Sequence, residues 1–177
     1  VDADRIGHDV LDDPEVKARL VDEFGTQILT ESGAVDRPAL ARAVFGESES
    51  RVETLNAIVH PPIIRRVHQE VFRHKQDTEC PLVVVDAALL LEVGLDEPLC
   101  DALVYVAAPR DLRRERAANR GMEPEQFERR EQAQLAPTTK EKQADFIIHN
   151  DGSTEELTGQ VAELWPRLLA LPSRAGE

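Results

Sequence analysis

Pro81-Leu82-Val83-Val84-Val85-Asp86 is an unbroken apolar run that ends in a carboxylate, and Ala87-Ala88-Leu89-Leu90-Leu91-Glu92-Val93-Gly94-Leu95 continues from it. A second run, Ala102-Leu103-Val104-Tyr105-Val106-Ala107, follows closely. Apolar runs without alternation predict strands buried on both faces, as in a parallel sheet covered by helices. Ligands of such sheets sit at the carboxyl ends of the strands, so Asp86 is predicted at the reactive edge. Val1 leads directly into Asp2-Ala3-Asp4, as if at the end of another strand, with carboxylates at the same edge. Asp145-Phe146-Ile147-Ile148-His149, closed by Asn150-Asp151-Gly152, reads as the last short strand.

Helical patterns fill the rest. Asp13-Pro14 starts one through Val16, Leu20, Val21 and Phe24, and Gly25 stops it; proline in the first turn and glycine just past the end is the expected asymmetry. Asp36-Arg37-Pro38 opens another with Leu40, Ala43, Val44 and Phe45, ended by Gly46. Val52, Leu55, Ile58 and Val59 mark a third, and Pro61-Pro62 leads into a long fourth with Ile63, Ile64, Val67, Val71 and Phe72. Residues 13–76 are thus nearly all helix between two strands, and read as a substrate-binding insertion. Segment 109–120 is an arginine-rich helix, and Met122-Glu123-Pro124 starts another through Phe127 to Leu135. Ser153 with Glu156 resembles a capping box for a final helix through Leu157, Val161, Leu164 and Trp165. Residues 172–177 read as a loose tail. Strands alternating with helices predict a three-layer α/β fold.

The 177 residues suffice for a sizeable core, as one domain or a domain with an insertion. Lys+Arg 21 against Asp+Glu 34 gives a net charge of −13. That argues against a general nucleic-acid or anionic-membrane surface but leaves room for a local basic pocket. No apolar run approaches the roughly 20 residues of a membrane span. Cys80 and Cys100 lack a CxxC spacing and nearby His partners, and read as free thiols of a reducing cytoplasm.

Taken in order, these residues resemble the dephospho-CoA kinase family. The match runs from Val1-Asp2-Ala3-Asp4 through Phe24-Gly25, Ile28-Leu29, Asp36-Arg37-Pro38-Ala39-Leu40 and Val44-Phe45. It continues with Leu55-Asn56-Ala57-Ile58-Val59-His60-Pro61 and Leu89-Leu90-Leu91-Glu92-x-Gly94-Leu95. It closes with Arg116-x-x-x-Arg120, Gln132, Lys140, Ala144-Asp145 and Asn150-Asp151-Gly152. Each motif alone is weak, and their order and spacing carry the likeness. The resemblance implies ATP-dependent phosphorylation of the ribose 3′-hydroxyl of dephospho-CoA, with Mg²⁺, on a P-loop kinase-type α/β/α fold with a parallel sheet. It implies a nucleotide-kinase core at 1–12 and 77–171 with a lid at about 109–135, and a CoA-substrate insertion at 13–76.

The resemblance also implies a first strand, a Gly-rich loop ending Gly-Lys-Ser/Thr and a helix, a unit of roughly 30 residues. No such loop motif occurs in the chain. The expectation is therefore an N-terminally truncated member with the first strand–loop–helix missing, inactive as it stands. A loop-less protein that binds a CoA precursor without turnover is the alternative of a different class. Another nucleoside-monophosphate-type kinase is a further alternative, against which the Leu55…His60-Pro61 pattern argues.

The resemblance places the proton-accepting role on Asp4, since a carboxylate can orient an attacking hydroxyl and take its proton; the bland reading is a helix cap. Asp2 reads as a substrate-side carboxylate, a group facing Mg²⁺, or a cap. Asp86 should lie near the phosphates, where it could hold a Mg²⁺ water, or serve only as a strand-end turn residue. No side chain is assigned as a direct metal ligand. Arg116 and Arg120, four apart, share a helical face, and the resemblance makes them lid residues, with Arg120 catalytic and Arg116 on the nucleotide. Arg110, Arg113 and Arg114 read as solvated. Arg37 could meet a substrate phosphate or pair with Glu31 or Asp36. His60 could contact dephospho-CoA or pack at a helix entry. Lys140 and Asn150 are implied at the adenine end of ATP. Glu92, in apolar surroundings, reads as a structural ion-pair partner.

Overall fold

The structure, a computed structural model, describes residues 1–45, 49–94 and 99–172. Gly46, Leu95 and the tail beyond Pro172, used in the sequence reading, lie outside the described residues. The chain packs as two units, Val1–Ala87 and the residues from Ala88 onward.

The first unit is helical. Asp2 caps α1 (Ala3–Val10), its side chain accepting from the Arg5 N–H at 2.8 Å. Asp13 caps α2 (Pro14–Phe24) by accepting from the Glu15 N–H at 3.0 Å, with proline in the first turn. Gly25 ends α2 at φ 84°, a left-handed backbone that glycine adopts without steric cost. A 3₁₀ turn (Thr26–Ile28) follows, and the Asp36 carboxylate accepts from the Ala39 N–H at 3.1 Å at the start of α3 (Arg37–Phe45). The long α4 (Glu49–Lys75) is the element on which α1, α2 and α3 all pack. Val10, Leu20, Ile28 and Val44, each fully buried, form the core with Val16, Phe24, Leu40, Ile58 and Val59.

Two sequence expectations are corrected in this unit. Pro61-Pro62 does not separate two helices: α4 runs through both, which also puts His60 inside a helix rather than at its entry. Interior proline costs about 3 kcal/mol. Burial of Ile58 and Val59 on one side, and of Val67 and Val71 on the other, offsets it, and Arg66 reaches Asp13 at 3.1 Å. The run 81–86 is extended but makes only one parallel bridge, Asp2↔Asp86. Its hydrogen bonds are Asp86 N–H to Val1 O and Ala3 N–H to Asp86 O, both 2.9 Å, and the terminal ammonium to Val84 O at 2.6 Å. Val84 is 63% exposed rather than buried on both faces.

In the second unit β1 (Val104–Ala107) pairs in parallel with β2 (Phe146–His149), Val104 opposite Phe146. A parallel pair needs a long crossover. Here it comprises α5 (Arg110–Asn119), α6 (Pro124–Gln132) and α7 (Pro137–Gln143), and α8 (Thr154–Leu169) follows β2. Asp145 pins the register, its carboxylate accepting from the Leu103 N–H at 2.8 Å. Gln160 of α8 exchanges two 2.8 Å hydrogen bonds with the His149 backbone, satisfying polar groups at the edge of β2. The 102–107 run also departs from full burial: Val106 is 52% exposed, because two strands give each other one neighbour apiece.

Candidate functional site

In the first unit the Asp2↔Asp86 bridge brings two carboxylates side by side at the end of a parallel pair, where α/β proteins place their ligands. α1 starts there. The capping oxygen of Asp2 is spent on the Arg5 N–H, so the cap reading belongs to Asp2 and not to Asp4. Asp4 sits in the first turn of α1, exposed. Among the described residues neither Asp4 nor Asp86 has a side-chain hydrogen-bond partner, so both carboxylates are available to a ligand. The amino end of α1 favours such negative charge.

Arg37, also exposed, lines a groove of about 370 Å³ with Leu11, Asp12, Thr30 and Asp36. Among the described residues it pairs with neither Glu31 nor Asp36, the latter being occupied as a helix cap. His60 is half-buried in α4, and burial holds its imidazole below the ordinary value, so it is neutral at pH 7.

The second unit carries the arginines. Arg116 donates to the Asn150 carbonyl at 2.8 Å, which joins two predicted nucleotide residues at the end of β2. Arg120 closes α5, exposed, its Nε donating to the Arg116 carbonyl at 3.2 Å. Among the described residues its outer guanidinium nitrogens have no partner. Arg110 is held by Glu128 at 2.5 Å and Glu131 at 2.6 Å, and Arg113 by Glu131 at 2.7 Å. Those two arginines are spent on the α5–α6 pairing. Gly121 turns the chain between the helices at φ 80°. Glu128 and Glu131 were not legible beforehand, because partners 18 and 21 residues away show no local spacing signal.

Lys140 lies in α7, its ammonium donating to Glu92 Oε1 at 2.9 Å, Gln134 Oε1 at 3.0 Å and the Ala88 carbonyl at 3.1 Å. Glu92 is thus the ion-pair member that its apolar setting implied. Burial alone would push its carboxyl up; the Lys140 ammonium and the Leu135 N–H outweigh that and hold it below the ordinary value. Neither Cys80 nor Cys100 is in a disulfide among the described residues. No helix among the described residues is long and apolar enough to cross a membrane.

A helix-rich α/β protein with a parallel pair ending in carboxylates, and an arginine-bearing helical hairpin, has the fold class of small-molecule kinases, although the Gly-Lys-Ser/Thr loop of that class does not occur in the chain. The dephospho-CoA kinase (CoaE) family model matches residues 1–156. The chain belongs to the dephospho-CoA kinase family. It is 39% identical to a dephospho-CoA kinase of Thermobifida fusca, over 95% of this chain and 82% of that one. It is 36% identical to that of Aquifex aeolicus, over 95% and 80%. The crystal structure of TT1252 from Thermus thermophilus superposes with a TM-score of 0.74 at 32% identity, covering 95% of this chain and 83% of that one.

Proposed function

We propose that this protein transfers the terminal phosphoryl group of ATP to the ribose 3′-hydroxyl of dephospho-CoA. The observation that carries the chemistry is the Asp2↔Asp86 bridge, which puts two carboxylates at one strand end, with Asp4, unpartnered among the described residues, in the first turn of α1. In this reading Asp4 takes the hydroxyl proton, the oxygen attacks the γ-phosphorus, the bond to the β-phosphate oxygen breaks, and ADP leaves. Arg120 stabilises charge on the transferring group, with its fork geometry suited to phosphate oxygens. Arg116 and Asn150 hold the nucleotide. Arg37, His60 and Asp2 face dephospho-CoA, with the insertion 13–76 as its platform and 109–135 as the lid. Asp86 could hold a water of Mg²⁺, which prefers oxygen ligands and keeps waters; when bound the ion would neutralise phosphate charge. Two cysteines outside any disulfide fit a reducing compartment, the cytoplasm.

The test is turnover by the full-length gene product with ATP and dephospho-CoA. Equimolar ADP and CoA are expected, with adenosine monophosphate a poor acceptor. Preferential phosphorylation of the monophosphate, or ligand binding with no CoA formed, would overturn the reading.

A further inference from the structure

Glu92 and Lys140 form an ion pair whose side chains are only 14% and 12% exposed. Lys140 carries three N–H donors, and three acceptors on the chain take them: Glu92 Oε1, Gln134 Oε1 and the Ala88 carbonyl. No donor is left for a nucleotide. The same Glu92 oxygen accepts from the Leu135 backbone N–H at 2.7 Å. Together the two side chains tie the turn at 88–94 to residues 134–140, the point where the chain leaves α6. That helix supplies Glu128 and Glu131, which hold Arg110 and Arg113 of α5. The placement of Arg116 and Arg120 therefore runs through α6 to Glu92. The second oxygen, Oε2, is buried and has no hydrogen-bond partner. A largely enclosed carboxylate with one oxygen unpaired leans on its ammonium partner as well as on the Leu135 N–H.

We propose that Glu92 and Lys140 are a buried clamp that sets the position of the α5–α6 hairpin and so aims its arginines at the transferring phosphate. Both are positioning residues; neither touches substrate. The proposal rests on the kinase reading for its catalytic consequence, but the clamp itself can be read out without turnover.

The experiment compares Glu92→Gln and Lys140→Met with Leu164→Ala, a core change in α8 that lowers stability without touching the clamp. Amide hydrogen exchange comes first. Exchange at Leu135 and along α6 should quicken at least about tenfold in Lys140→Met, while β1 and β2 keep their protection. Unchanged exchange there would overturn the clamp whether or not the protein is a kinase. Turnover comes second, well below the melting temperature of every variant. Misplacing catalytic groups by an ångström can cost about 100-fold, so kcat should fall about 10- to 100-fold with KM for ATP little changed. Glu92→Gln, which keeps an acceptor for Leu135, should fall less than Lys140→Met. Leu164→Ala should keep wild-type kcat. If the clamp variants lose only stability and match Leu164→Ala in kcat, the positioning role is wrong. If KM for ATP rises with kcat intact, Lys140 meets the nucleotide directly and the clamp is again overturned. Should Lys140→Met fail to fold, Glu92→Gln and Lys140→Arg carry the same comparison. A wild-type protein that makes no CoA refutes the kinase reading and leaves the exchange result to decide the clamp.

Discussion

Asp4 and Asp2 are two residues apart, yet the backbone gives them different work. Asp2 spends an oxygen on the Arg5 N–H, while Asp4 stays exposed and unpartnered among the described residues. Asp4→Asn should keep the shape and lose the proton acceptor. A fall in kcat of about 10²–10⁴-fold with ATP affinity nearly intact is expected; near wild-type turnover would remove Asp4 from the mechanism. The arginines divide in the same way. Arg113 is neutralised by Glu131 at 2.7 Å, whereas among the described residues the Arg120 side chain bonds only the Arg116 carbonyl. Arg120→Ala should therefore slow phosphoryl transfer more than Arg113→Ala, and Arg120→Lys should rescue only in part, since an ammonium lacks the planar fork. Equal small effects at both positions would defeat the lid assignment. Glu92 makes a pH prediction. Its folded carboxyl lies below the ordinary value, so its contribution is present above that ordinary value and is lost as pH falls through the depressed one. Glu92→Gln should flatten the acid side of the stability–pH curve. A variant curve parallel to wild type down the whole acid limb would refute the direction.

Single helices depend on ends and cores of different weight. Ser153 starts α8 with a reciprocal box, accepting from the Glu156 N–H at 3.2 Å while Glu156 accepts from the Ser153 N–H at 2.7 Å. Ser153→Ala should cost about 1 kcal/mol. Leu20, fully buried between Val16 and Phe24 in α2, should cost roughly 2–5 kcal/mol as alanine, the spread depending on how far the site collapses. Denaturant midpoints would rank the two, and the reverse order would contradict the core assignment. Both residues were legible in the sequence, Ser153 from its spacing to Glu156 and Leu20 from the helical period. Asp13-Pro14 and Gly25 marked the ends of α2 for the same reason: capping is a local interaction. What escaped was set by distant contacts. Proline rules break α4 at Pro61-Pro62, but three helices packed along α4 hold it continuous. Apolar runs implied strands covered on both faces, while Val84 and Val106 are exposed because each has few neighbours. The short α7, Pro137-Thr138-Thr139-Lys140-Glu141-Lys142-Gln143, has no apolar period to announce it. The carboxylate of Asp86 was legible because it follows an apolar run, a local pattern; the partners of Lys140 were not, because Ala88 and Glu92 lie about fifty residues away in sequence.

Across the whole chain the charge balance is the dominant long-range term. Asp+Glu 34 against Lys+Arg 21 leaves −13, and self-repulsion of that sign opposes the compact state. Salt acts on this repulsion and on the favourable ion pairs in opposite directions. The exposed pairs are weak: a surface pair such as Arg110–Glu128, with both side chains 46% exposed, is readily screened by water and salt. Glu92–Lys140 is enclosed and therefore little screened. Repulsion among excess carboxylates reaches further, over a screening length of about 30 Å at 0.01 M and about 8 Å at 0.15 M. Screening should thus remove more repulsion than attraction. Raising sodium chloride from 0.01 to 0.15 M at pH 7.5 should raise the melting temperature by about 2–4 °C for each kcal/mol of repulsion relieved. Chloride binding at the α5 arginines would give a rise of the same sign, so the measurement is repeated on Arg120→Ala. The increment should persist there, because it comes from the summed charge and not from one anion site. A melting temperature that falls with salt would mean that the ion pairs outweigh the acidic excess, and an increment lost in Arg120→Ala would mean that a bound anion produced it.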